Sequence, residues 1–126
     1  IGEQVSVANA AGRVIGGICH GPLGLLRARG ADGELLVKGR RLTAVTDRQV
    51  RQLGVEITPL HPESALRAAG ALFECRTHPV RDFFANYYVA DGNLITGQNQ
   101  NAGPMVARLM IERALANRAS RTLITI

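Results

Sequence analysis

The most constraining feature of this chain is the stretch GGICHGP at residues 16–22. Two glycines lead into the adjacent pair Cys19-His20, and a glycine and a proline lead out of it. The apolar run from Val14 to Ile18 has the length and composition of a strand buried on both faces. Pro22 suits the first turn of a helix, with leucines at 23, 25 and 26 as its apolar face and Gly30 as its stop. A strand turning sharply into a helix at one cysteine is a βα unit, the element from which helices are layered on a mostly parallel sheet. In open sheets of that kind ligands bind beyond the carboxyl ends of the strands, where Cys19 falls.

That position gives the pair Cys19-His20 a chemistry. The free N–H groups and positive end of the helix expected at Pro22 would lower the thiol pKa and favour a thiolate. The same amides, beginning with that of His20, suit an oxyanion. Gly17-Ile18-Cys19-His20-Gly21 has the G-x-C-x-G form of a nucleophile elbow, with an imidazole next to the nucleophile as acid and base. The same residues also read as half a metal site, or as a buried cysteine with a hydrogen-bonded histidine. The metal reading lacks ligands: Cys19 and Cys75 are the only cysteines and form no CxxC pair. The elbow and its flanking glycines weigh the balance toward catalysis, with no metal and no cofactor called for. Two lone cysteines also read as free thiols in a reducing cytoplasm rather than as the disulfide frame of a secreted domain.

Length and composition bound the rest. A chain of 126 residues with 46% hydrophobic residues affords one modest domain with a real core. No apolar stretch reaches the roughly 18 residues of a membrane span, and nothing near Ile1 has the form of a signal peptide. The net charge of +5 is carried by scattered arginines, and only Lys38-Gly39-Arg40-Arg41 is a cluster. With 4% aromatics there is little to stack bases on, so the surplus reads as solvated surface rather than a nucleic-acid face.

The elements downstream continue the alternation. Strand-like residues run from Leu42 to Thr46, after a turn at Asp32-Gly33. Pro62 and Gly70 bracket a helix, and a strand from Ala71 to Cys75 follows, with Cys75 expected in the core. Tyr87–Ala90 and Leu94–Thr96 form a hairpin around Asp91-Gly92-Asn93. A last helix opens at Pro104, with Val106, Leu109, Met110 and Arg113 at helical spacing.

The stretch GRVIGGICHGPLGLL closely resembles the nucleophile elbow of the ThiJ/PfpI superfamily, relatives of the class I glutamine amidotransferases. The likeness continues in order through KGRRLTAVTD, TPLHPESALRAAGALFE and VADGNLITGQNQNAGPMVARLMIE, and is greatest toward the glyoxalase III-like and PfpI-like branches. It implies a flavodoxin-like three-layer α/β sandwich and a cytoplasmic, cofactor-free enzyme acting on α-oxoaldehydes such as methylglyoxal. Other members of the superfamily are stress proteins, chaperones or peptidases, so a redox-sensing stress chaperone is the alternative. On matching positions Cys19 is the nucleophile and His20 its acid/base partner. The resemblance also asks for a carboxylate soon after RRLTAVT to orient the histidine. The usual positions there hold Gln49 and Val50, which leaves Asp47 as the third member; Asp47 reads equally as a helix N-cap.

The resemblance further implies that residues 1–126 are the C-terminal portion of a single domain. In the superfamily a longer N-terminal portion precedes the elbow, supplying strands, a carboxylate near the cysteine and a glycine-rich loop for the oxyanion hole. The expected partners are therefore a small aldehyde substrate, and an N-terminal fragment or neighbouring copy beside the Val14–Ile18 strand, with a homo-oligomer as one outcome. No nucleic acid and no membrane are expected.

Two other histidines compete for attention. His61-Pro62-Glu63 has the H-x-E form that completes a Cys-His-Glu triad in class I glutamine amidotransferases, and a further alternative is a glutamine amidotransferase or an intracellular peptidase using Cys19. The motif stands only 42 residues beyond Cys19 and opens a helix, where Pro62 and Glu63 suit the first turn. His78 lies in a polar loop and reads as surface. Gln98-Asn99-Gln100-Asn101 precedes the last helix, and capping is its simplest role.

Overall fold

The computed structural model describes residues 1–125. A three-stranded sheet in the order β1-β5-β4 forms its centre, with β1 spanning Ile15–Ile18, β4 Tyr88–Asp91 and β5 Leu94–Gly97. β1 runs parallel to β5, pairing Ile15 with Leu94 and Ile18 with Gly97. β4 returns antiparallel on the other side of β5, as the hairpin around Asp91-Gly92-Asn93 requires. A second, two-stranded parallel sheet pairs β2, Arg41–Leu42, with β3, Leu72–Phe73.

Strand periodicity explains how β5 comes to be buried along its whole length. Successive side chains face opposite ways. Leu94 joins a core cluster with Leu25, Val37, Leu42, Ala44, Leu66 and Phe73. Ile95 joins another with Ala102 and Val106, against which Ile18, Leu109 and Met110 pack. The sheet thus has α4, Gly103–Thr125, on one face. On the other lie β2 and α3, Pro62–Ala68. This layering is that of a flavodoxin-like α/β fold.

Small residues set the spacing of these layers. A Cβ built on Gly97 would stand 2.8 Å from the Cβ of Ala102 and 2.9 Å from Cγ2 of Ile18. A Cβ on Gly16 would overlap Met110 of α4. The two sheets are joined by polar contacts. The Thr43 N–H donates to Thr96 Oγ1 at 2.9 Å, and Arg40 reaches both the carboxylate and the backbone carbonyl of Asp91.

Several expectations are corrected. The chain after Pro22 forms a five-residue 3-10 helix, Gly21–Leu25, rather than an α-helix to Gly30. Gly24 inside so short a segment works against α-helical propagation. The expected strand from Leu42 to Thr46 pairs as a ladder only at Arg41–Leu42, and Leu72–Phe73 is the paired part of the next one. Cys75 lies beyond that ladder and is exposed rather than in the core. One helix joins those expected, α1, Gly2–Ala10, and α2, Asp47–Leu53, forms where Asp47 read as a possible N-cap. None of the described helices is long and apolar enough to cross a membrane.

Candidate functional site

Cys19 follows directly on β1 and has φ of 56°, the one non-glycine residue with positive φ among those described. A nucleophile elbow puts the sharp turn at the nucleophile position, and here the left-handed conformation falls on the cysteine itself. Such a conformation costs an ordinary residue about 1–2 kcal/mol. It persists here because the backbone on both sides is held. The Cys19 N–H donates to the Gly97 carbonyl at 3.0 Å, and the Cys19 carbonyl accepts from the Val45 N–H at 3.0 Å. One residue is thereby tied to β5 and to the segment after β2.

The thiol and the adjacent imidazole are in contact, with Sγ 3.4 Å from Nδ1 of His20. Both residues are partly buried. Burial pushes the Cys19 thiol above its ordinary pKa, while the His20 backbone N–H, hydrogen-bonded to the sulfur, pulls it down and loses. This corrects the expected lowering by a helix end: five residues of 3-10 helix are too short to supply that field. Cys19 and Cys75 are both free thiols.

Asp47 is engaged by α3. It is the first residue of α2, and the cap before it is Thr46, whose side chain accepts from the Gln49 N–H at 3.0 Å. The Asp47 N–H donates to Glu63 at 2.9 Å, and its Oδ2 accepts from the Ser64 hydroxyl. Its Oδ1 is buried without a partner. Among the described residues no hydrogen bond or ion pair joins Asp47 to His20. The geometry brings Cys19 and His20 together and ties Asp47 to α3.

The competing groups have other partners. His61 caps α3 and contacts the Glu56 carbonyl through Nε2 at 2.9 Å, and Glu63 pairs with Arg67. His78 Nδ1 accepts from the backbone of Val80 and Arg81. Gln98 forms a closed pair with the backbone N–H and carbonyl of Arg76, both at 2.9 Å. Asn99 caps the turn before α4, its Oδ1 accepting from Asn101, while its amide donates to the carbonyls of Phe83 and Ala85. The capping expectation for this polar run is met by Asn99, at the 3-10 turn that leads into α4, and not by Gln98. Among the described residues no group of three His, Cys, Asp or Glu side chains is placed to hold a metal ion.

Other polar residues escaped sequence reasoning. Asp82 is fully buried and takes Arg48 Nη1 at 3.2 Å and the His78 N–H at 2.9 Å. Nothing local announces it, because Arg48 is 34 residues away. Gln49 is buried as well, and there a signal exists: Thr46-x-x-Gln49 has the spacing of a capping box.

Solved structures share this architecture. The crystallographic structure of APC35852 matches at 37% identity and a TM-score of 0.71, over 93% of this chain and 49% of its own. Glyoxalase III from Candida albicans matches at 26% identity and a TM-score of 0.76, over 86% of this chain and 46% of its own. The Rapid Encystment Protein of 24 kDa from Francisella tularensis has the same fold at 23% identity and a TM-score of 0.79, over 89% of this chain and 48% of its own. The chain therefore spans about half the length of the structures it matches. Neither the protein-family models nor the curated proteins give a match.

Proposed function

We propose, from the premise that this chain is a portion of a ThiJ/PfpI-superfamily domain, that the protein is a cysteine-dependent, cofactor-free enzyme acting on small α-oxoaldehydes such as methylglyoxal. The observation that carries this reading is the cysteine turn: a partly buried thiol at φ 56°, with an imidazole nitrogen 3.4 Å from its sulfur. Cys19, deprotonated by His20, adds to the aldehyde carbon and forms a hemithioacetal. His20 then carries the proton from that carbon to the neighbouring ketone carbon, oxidising the first and reducing the second, which leaves a thioester. Water hydrolyses the thioester, releases the hydroxy acid and restores the thiol. The sum is methylglyoxal plus water to lactate, with no outside oxidant or reductant.

Lactate formation from methylglyoxal, followed in the whole protein and in Cys19→Ala, tests this. We expect the variant to lose at least about 100-fold in kcat/KM, the usual scale for removing a nucleophile or its proton partner. Unchanged turnover overturns the mechanism. The alternative is a redox-sensing stress chaperone whose Cys19 is oxidised rather than catalytic, and the imidazole nitrogen 3.4 Å from the sulfur, which gives the thiol a base, ranks it second. A glutamine amidotransferase or intracellular peptidase using Cys19 ranks lower, since the amidotransferase candidates His61 and Glu63 are both engaged elsewhere.

This reading includes a protein partner. β1 stands at the edge of its sheet, paired only with β5, although Ile15 and Ile18 are half-buried and Gly16 is exposed. An N-terminal fragment of the same protein, or a neighbouring copy, would pair along that edge and bring the remaining groups to Cys19.

A further inference from the structure

Beyond Leu42 the chain leaves the β2–β3 ladder, yet Thr43, Ala44 and Val45 are fully buried. Two N–H groups tie this segment to the three-stranded sheet and the turn that follows it. The Val45 N–H donates to the Cys19 carbonyl at 3.0 Å, and the Thr43 N–H donates to Thr96 Oγ1 at 2.9 Å. The first is a bond between backbones. In the second a side chain stands where a strand partner would.

Thr96 is an unexpected residue for its place. It is 0% exposed, in a strand buried along its whole length, between Ile95 and Gly97. A hydroxyl in such surroundings costs free energy unless it is hydrogen-bonded, and this one takes the Thr43 N–H. By strand alternation Thr96 shares a face with Leu94, the face that meets β2. The next residue, Gly97, accepts the Cys19 N–H. Thr96 thus adjoins one of the two residues that hold the Cys19 backbone, and its hydroxyl is bonded two residues before the other.

Cys19 depends on both holds. A residue with a side chain keeps a positive φ only where its surroundings over-determine it. The backbone N, Cα and C fix the direction of Cβ, so a Cys19 relaxing from φ 56° changes the place of its sulfur relative to Nδ1 of His20. We propose that Thr96 is a positioning residue for Cys19: its hydroxyl holds the segment that carries Val45, and so keeps the carbonyl side of the cysteine turn bonded. The effect on turnover rests on the aldehyde chemistry proposed for Cys19, whereas the effect on the turn does not.

Thr96→Val keeps the branched shape and removes the hydroxyl, and Thr96→Ser keeps the hydroxyl. Amide hydrogen exchange in the whole protein reads the turn. In Thr96→Val the Val45 N–H should exchange at least about tenfold faster, the scale of leaving a buried donor unpaired. The Ile15 N–H on the Asn93 carbonyl and the Glu74 N–H on the Leu42 carbonyl should keep their rates, and Thr96→Ser should restore that of Val45. Methylglyoxal turnover should fall at least about tenfold in kcat with KM unchanged, as misplacement of a reacting group does, and recover with serine. An unchanged Val45 rate overturns the proposal. An equal rise at all three amides also overturns it, being ordinary loss of stability, and so does an unchanged kcat beside a loosened Val45. If the unsubstituted protein leaves methylglyoxal untouched, the aldehyde reading fails and the exchange rates still decide this one. Should Thr96→Val not fold, the unsubstituted protein decides: Val45 should be protected as well as Thr43 to within about tenfold, and a larger shortfall at Val45 means that the Thr96 bond does not hold it.

Discussion

At the scale of a residue, Cys19 combines a strained backbone with a thiol that burial holds in its neutral form. The backbone on both sides is held by hydrogen bonds to Gly97 and Val45. A pH dependence follows. Because the folded pKa lies above the unfolded one, the neutral thiol contributes stability that is fully present below the unfolded value. That stability is lost as pH rises through the folded value. Alkylation by iodoacetamide, which needs the thiolate, should therefore show a midpoint at higher pH in the folded chain than in the same chain unfolded in urea. Cys75→Ser removes the other thiol from the measurement. A folded midpoint at or below the unfolded one contradicts the dominance of burial.

At the scale of an element, the centre of the fold depends on a place with no side chain. Gly97 ends β5 where Ala102, Ile18 and Val106 converge, and a methyl group there would meet all three within 3.1 Å. Gly97→Ala should destabilise the chain by about 1–3 kcal/mol, the range for overpacking a close-packed core. Urea unfolding reads this directly, and a loss below about 0.5 kcal/mol would mean that α4 moves aside freely. The convergence is legible in sequence only in part. The strand before Cys19, the hairpin and the start of the last helix are written in local periodicity and turn residues, and each forms within a residue of its expected place. The helix after Pro22 is not, because Gly24 shortens it and the leucines serve a 3-10 turn just as well. In the site, the adjacency of Cys19 and His20 is given by the chain itself. The positions of Asp47 and Asp82 depend on partners brought from 16 and 34 residues away, which no local pattern records.

At the scale of the molecule, an apolar strand with one free edge is the outstanding feature. Unpaired strand edges invite another strand, and among the described residues β1 has only β5 beside it. Residues 1–126 by themselves should associate in a concentration-dependent way on size-exclusion chromatography with light scattering. A cooperatively melting monomer that turns over methylglyoxal would contradict both this and the need for a partner. The carbonyl of Cys19 adds something to this picture. It takes its hydrogen from Val45, on the segment leading out of the two-stranded sheet, while the N–H of the same residue gives to Gly97 of the three-stranded one. The cysteine is thus a rivet through the seam between two plates. If they slide, the two backbone bonds that hold Cys19 in its left-handed turn are strained directly, so the setting of this one residue follows how the two sheets meet.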